Sequence, residues 1–258
     1  AGAKIKELRG HKGTINCVDW SCDGRRLASG SSDHTVRLWT LTSDRDSNCQ
    51  ELKGHSAAVE QLAWSPSDPE VLATVSADKT VALWRQGQLI RQVNLGASPI
   101  NLAWDSQGTR LIVGTKDDNL MLIDINTMGV GWSKKMPYEI NQMTWINTDT
   151  QILLSTGLGT ILLIDSQDGS ELASYLAHTS SCHCIKRNGT GNLAVVGAAD
   201  ALISVWSLED FASTRVIGRL DWPIRAMDLT KDDILAAGSE DPHIELACIL
   251  TGEHIGRI

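Results

Sequence analysis

The chain has no basic surplus: 23 Lys and Arg stand against 31 Asp and Glu, a formal net charge of −8 with a pI of about 5.3. Autonomous RNA or DNA binding draws on phosphate neutralisation by cationic side chains, so it is disfavoured, and only a local basic patch stays open. No apolar run approaches the roughly 20 residues that span a bilayer, so no membrane role is expected. The first residues, Ala1-Gly2-Ala3-Lys4, lack the apolar core of a secretory leader. Cysteine is too sparse and irregular for a disulfide scaffold: Cys17, Cys22, Cys49, Cys182, Cys184 and Cys248 share no spacing. That usage fits a reducing compartment, cytosol or nucleus. No Pro/Gly/Ser-rich linker interrupts the chain, which predicts one domain over residues 1–258. No ten-residue stretch carries a convincing helical period, which leaves strands. Hydrophobic residues at 42% and charged residues at 21% are ordinary for a globular protein.

What is present is a repeat. Trp20, Trp64, Trp104 and Trp145 are 44, 40 and 41 positions apart. Segments closing on Trp39, Trp84 and Trp206 recur in step. A period of about forty residues means one small unit copied many times. The first copy reads LRGHKGTINCVDWSCDGRRLASGSSDHTVRLW, Leu8 to Trp39, and the second LKGHSAAVEQLAWSPSDPEVLATVSADKTVALW, Leu52 to Trp84. Each holds three apolar stretches of strand length and composition, separated by turn residues such as Asp23-Gly24, Ser67-Asp68-Pro69 and Gln107-Gly108. The segment joining copies supplies a fourth strand, as at Cys49 to Leu52. Four antiparallel strands per copy without helices predict an all-β β-propeller. Copies start near residues 11, 55, 97, 138, 178 and 222, which gives six blades. Ile5–Leu8 reads as a further strand, and Glu253–Ile258 as the fourth strand of the sixth blade. This count suggests a seven-bladed protein with its last blade outside this chain; the alternative is six blades with those two segments competing for one place.

The Gly-His start, the Asp six residues before a closing Trp, and the spacing resemble the WD-repeat family. The literal Trp-Asp ending is absent, since Thr40, Arg85 and Ser207 follow the closing tryptophans. The resemblance implies a hydrogen-bonded chain inside each blade. Its members are His11, Ser29, Asp33 and Trp39, then His55, Thr74, Asp78 and Trp84. The fifth copy keeps His178, Asp200 and Trp206 but has Val196 where the hydroxyl belongs. The third and sixth keep only Asp117 and Asp241, and the fourth, with Leu158, must rely on packing. The sets could be mistaken for Ser-His-Asp triads, but a catalytic triad has no reason to recur in separate blades.

Some stretches resemble the WD-repeat subunits of the THO complex, the assembly that couples transcription to mRNA export. They are SCDGRRLASGS at Ser21–Ser31, KDDN at Lys116–Asn119, AADALISVW at Ala198–Trp206 and RLDWPIR at Arg219–Arg225. That resemblance implies a non-catalytic nuclear scaffold, binding other THO/TREX subunits and meeting RNA mainly through them. It implies no cofactor and no small-molecule substrate. No basic run resembles a nuclear localisation signal, so entry with a partner fits. A peptide-reading adaptor, as a ubiquitin-ligase substrate receptor or histone-tail reader, is the competing class; it would need an aromatic cage or a basic pocket.

Other residues are weighed on chemistry. His178-Thr-Ser-Ser-Cys182-His183-Cys184 has metal-ligand types. Cys182 falls on a core position, though, and no second cluster completes four ligands, so a small buried thiol is the better account. Candidate partner contacts are Asn16, Glu60, Asn141, His183 and Arg225, each following the first apolar residue of the innermost strand. Asn101 joins them only if its register matches. A wet channel wall is the plain reading of that ring. Rim positions before each turn Asp include Lys116 and Glu240. Trp222, beside Pro223 where the sixth copy has lost Gly-His, either anchors a partner or fills the vacant His space. Trp132 carries the same ambiguity. Arg25-Arg26 and Lys134-Lys135 read as solvated turn charges.

Overall fold

The computed structural model describes residues 7–40 and 48–258. It is all-β: six four-stranded antiparallel blades of a β-propeller, each an uninterrupted meander. The first blade holds β1 (Ile15–Trp20), β2 (Arg26–Ser31), β3 (Thr35–Thr40) and β4 (Asn48–Lys53). The second holds β5 (Val59–Trp64), β6 (Val71–Ser76), β7 (Thr80–Arg85) and β8 (Gln88–Asn94). The third holds β9 (Pro99–Trp104), β10 (Arg110–Thr115), β11 (Asn119–Asp124) and β12 (Gly129–Lys135). The fourth holds β13 (Ile140–Ile146), β14 (Gln151–Thr156), β15 (Thr160–Asp165) and β16 (Glu171–Leu176). The fifth holds β17 (Cys182–Arg187), β18 (Leu193–Ala198), β19 (Ile203–Ser207) and β20 (Ser213–Ile217). The sixth holds β21 (Ala226–Leu229), β22 (Ile234–Gly238), β23 (Glu245–Cys248) and β24 (His254–Arg257). Of the expected strand at Ile5–Leu8, Ile5 and Lys6 lie outside the described residues, and Glu7 and Leu8 are not in a strand.

The chain divides into two compact units. One runs to Thr109 and takes in Thr115–Asp117 and Ile125–Met128; the other holds Arg110–Gly114, Asp118–Asp124 and Gly129–Ile258. In the first unit β1 lies beside β5 and β5 beside β9; in the second β13 lies beside β17 and β17 beside β21. The first strand of each blade is therefore the innermost. In the first five blades the second and third strands are largely buried on both faces, which is why they read as near-continuous apolar runs, whereas β22 and β23 of the sixth alternate buried and half-buried residues. β14, for example, buries Ile152, Leu153 and Leu154 completely. Outermost strands are mostly exposed, with single half-buried residues such as Ala173 and Tyr175 in β16 and Val93 in β8.

The turn between second and third strands recurs with one geometry. The residue after the turn Asp is left-handed in several blades: His34 at φ 69°, Lys79 at 70°, Asp118 at 55° and Ala201 at 63°. In the fourth blade Gly159, at φ +79°, takes this place. Its own Cβ would lie 2.4 Å from the His178 carbonyl oxygen, so only glycine fits.

Candidate functional site

Three blades contain the same polar chain. In the second, the Trp84 indole N–H donates to Thr74 Oγ1 at 2.9 Å, and Thr74 Oγ1 stands 2.7 Å from His55 Nε2. His55 Nδ1 lies 3.0 Å from Asp78 Oδ2. An indole N–H can only donate, so the hydroxyl accepts from it and keeps its own proton to give. A carboxylate can only accept, so the His55 proton is assigned to Nδ1, donating to Asp78, and in the neutral ring Nε2 accepts from the hydroxyl. Burial pushes the His55 pKa down, against the raising effect of Asp78, which agrees with that tautomer. For Asp78, burial acts to raise the pKa, but hydrogen bonds from Thr80, the Ser56 N–H and His55 outweigh it and hold the carboxyl below its ordinary range.

The first blade repeats this with Trp39 Nε1 to Ser29 Oγ at 2.8 Å, Ser29 to His11 Nε2 at 2.8 Å and His11 Nδ1 to Asp33 at 3.0 Å. Asp33 also accepts from the Lys12 N–H at 2.8 Å, which pins the chain leading into the blade. In the fifth blade His178 Nδ1 meets Asp200 at 3.0 Å. The hydroxyl expected at Val196 is supplied by Ser204, 2.8 Å from both His178 Nε2 and Trp206 Nε1. Ser204 pairs directly opposite Val196 on the neighbouring strand, so the hydroxyl has crossed one strand without leaving the site. The three hydroxyl residues are buried, and each hydroxyl is committed on both sides, so none of these three is free to act as a nucleophile.

The remaining blades close differently. In the sixth, Asp241 Oδ2 accepts from the Asp221 N–H at 3.1 Å, the bond that Lys12 gives Asp33. Counting back from that bond, buried Leu220 takes the histidine place. Trp222 sits two residues further on and is 53% exposed, so it does not fill the histidine space. In the fourth blade Leu158 does not leave the turn to packing alone: Thr156 Oγ1 stands 2.7 Å from Thr160 Oγ1 and ties the corner. A polar cluster with no counterpart in the repeat lies in the sixth blade. Buried Glu245 accepts from His254 Nδ1 at 2.7 Å and Arg257 Nε at 3.1 Å.

The candidate contacts on the innermost strands share one irregularity. Pairing with the second strand skips a residue between Ile15 and Cys17, Val59 and Gln61, Ile140 and Gln142, and Cys182 and Cys184. The skipped residues are Asn16, Glu60, Asn141 and His183, each the extra residue of a β-bulge. Three of them spend their side chains inside the protein. Asn16 Nδ2 donates to Val59 O at 2.9 Å, Asn141 Nδ2 to Cys182 O at 2.9 Å, and His183 Nδ1 lies 3.0 Å from Ile224 O. Each bond reaches the next blade. Arg225 and Glu240 form an exposed ion pair at 3.0 Å. Lys116 is exposed, its N–H held by Ser98 O at 2.8 Å. Asn101 is buried, at the place of Gln61 relative to its Trp.

One further expectation fails and one ambiguity closes. Arg26 is not a solvated turn charge. It binds Glu70, donates to Pro69 O at 2.7 Å and lies 5.2 Å from the Trp64 ring centre, locking the first blade to the second. Trp132 donates to Ser166 O at 3.0 Å and packs within the second unit. Cys182 and Cys184 are core residues whose thiols burial pushes up to about 12. Among the described residues no group of three or more His, Cys, Asp or Glu could hold a metal ion.

The blade architecture with its recurring His-hydroxyl-Trp-Asp chain defines a repeat propeller with buried, structural polar sites. Residues 2–40, 46–85 and 169–207 match the family described as WD domain, G-beta repeat. THO complex subunit 3 of Arabidopsis thaliana is 35% identical over 98% of this chain and 82% of its own length. The WD repeat-containing protein AAC3 of Dictyostelium discoideum is 28% identical over 88% of this chain. The human serine-threonine kinase receptor-associated protein is 24% identical over 76% of it. The chain spans about half the length of these last two, 53% and 55%. The chain belongs to the WD40 repeat family.

Proposed function

We propose that the chain is a non-catalytic scaffold subunit of a THO/TREX-type assembly, acting in the nucleus. There it joins transcription to mRNA processing and export through protein–protein contacts. The observation that carries this reading is the 35% identity to THO complex subunit 3 sustained over 98% of the chain. The fate of the polar residues supports it. The histidines, hydroxyls and aspartates that could have done chemistry are spent holding strands together, so outward-facing surface is what remains for work. The acidic balance suits RNA contact through partners.

Native affinity purification of the tagged chain from nuclear extract, with subunit identification, tests the reading. Other THO subunits should co-purify in near-equal amounts. Recovery as a free monomer, or only with ubiquitin-ligase components, would overturn it in favour of a peptide-reading adaptor.

A further inference from the structure

Four positions that are polar or small in the first two blades are large and apolar in blades four to six. Leu158 holds the turn place of Asp33 and Asp78: its N–H goes to Thr156 Oγ1 as theirs go to Ser31 and Ser76. Leu202 holds the place of Thr35 and Thr80, its N–H bonded to the turn Asp as theirs are. Leu176 pairs with Thr160 as Lys53 pairs with Thr35 and Asn94 with Thr80. Trp222 falls where the first two blades have Gly13 and Ala57. The four side chains are exposed by 66% (Leu158), 37% (Leu202), 73% (Leu176) and 53% (Trp222).

The backbone gathers them on one face of the second unit. Gly159 O accepts from the N–H groups of Ala177 and His178, each at 3.0 Å, so Leu158 and Leu176 flank one corner. His178 is bonded to Asp200, two residues before Leu202. Leu202 Cδ2 lies over Gly218, only 2.7 Å from where a Cβ there would stand. The Ile224 N–H donates to Ala198 O at 3.0 Å and draws the Trp222 loop to the same turn. Carboxylates border the patch. Glu139 lies beside Gly157, Asp221 is exposed, and Asp200 and Asp241 are half-buried; of the neighbouring arginines, Arg225 is paired with Glu240, and Arg219, beside Gly218, donates to Gly252 O at 3.1 Å and lies 3.8 Å from Glu245.

We propose that Leu158, Leu176, Leu202 and Trp222 form a docking surface for a linear segment of a partner protein, basic in charge and carrying large apolar side chains. This rests on the scaffold reading and names the chemistry of one of its contacts. Clustered exposed apolar side chains in place of polar ones mark an interaction site. Trp and large aliphatic groups supply its anchoring area, and the bordering carboxylates select Lys and Arg while repelling phosphate.

The test uses variants that install the residues of the first two blades, Leu158→Asp with Leu202→Thr, so thermal unfolding should stay near that of the unaltered chain. Fluorescence anisotropy is read with a labelled peptide alternating Lys with Leu and Phe, its Glu-for-Lys counterpart, its Ser-for-Leu/Phe counterpart and an oligouridine. The first peptide should bind, and the double variant should weaken it by about tenfold or more. The other two peptides and the oligouridine should bind more weakly. Absence of binding, equal binding by the variant, equal binding of either counterpart, or displacement by the oligouridine would overturn the proposal. Should the double variant fail to fold, Trp222→Ala serves with the same expectations. If the peptide results fail while THO subunits still co-purify with the unaltered chain, this proposal falls and the scaffold reading stands.

Discussion

At the scale of single residues, the decisive fact is where a hydroxyl sits. Ser29 and Thr74 are on second strands, and Ser204 is on a third, yet all three lie between an indole N–H and an imidazole nitrogen. Ser204→Ala would leave the buried His178 Nε2 and Trp206 Nε1 without partners, at a cost of about 1–3 kcal/mol in urea unfolding. Adding Val196→Thr should return much of that loss, because position 196 faces position 204 across the strand pair. A double variant no more stable than the single would refute the equivalence. The same chain predicts a pH dependence. His55 has its folded pKa lowered, so its contribution is complete above the unfolded value of about 6.5 and declines as pH falls below it. Asp33 and Asp78 also have lowered folded values, so theirs is complete above about 3.8 and is lost on further acidification. Melting temperature should therefore fall in two stages between neutral and acid pH. His55→Gln should remove much of the first stage; an unchanged first stage would contradict the neutral assignment. The histidines and aspartates of this chain are legible in the sequence because they recur at fixed offsets. Ser204 is not, because a sequence offset does not show which residue lies across a strand pair.

At the scale of elements, the strands are legible because their apolar runs and turn residues repeat, and the fourth strand of the first blade extends the expected Cys49–Leu52 by one residue at each end. The bulges are not legible. Asn16, Glu60, Asn141 and His183 look like one ring on the channel wall in sequence, and only the register shows an extra residue whose side chain can turn to the next blade. The shift in the sixth blade is hidden for a similar reason: Asp221-Trp222 aligns with Gly-His by eye, whereas the Asp221–Asp241 bond sets the alignment two residues apart. Corners can be tested directly. Gly159→Ala would drive a Cβ within 2.4 Å of the His178 carbonyl and 2.7 Å of that of Ser180, both backbone atoms. Gly24→Ala meets nothing within 4 Å at a similar positive φ. The second should cost about 1 kcal/mol from backbone strain alone. The first should cost about 2–4 kcal/mol, the added loss coming from displaced backbone. Equal midpoints in urea for the two variants would show that the corner is not fixed by that contact.

At the scale of the whole molecule, charge decides how the chain meets nucleic acid. The net charge is −8. Several arginines are also already committed. Arg26 is held by Glu70 and Trp64, Arg37 by Glu51, Arg225 by Glu240, and Arg110 donates to Asp149 O and lies 4.7 Å from the Trp145 ring centre. Freeing any of them for a phosphate would break a bond that also braces strands or blades. Binding that releases few counterions is weak and shows a shallow dependence on salt. The isolated chain should therefore bind single-stranded RNA with a Kd weaker than about 10 µM at physiological salt, in the range of non-specific association. Affinity should rise only modestly as salt is lowered, and anisotropy titration of a labelled RNA at several salt concentrations checks both. Submicromolar binding with a steep salt slope would mean that the surface organises a cationic path despite the net charge. RNA would then be a direct ligand, and the acidic balance would no longer support contact through partners.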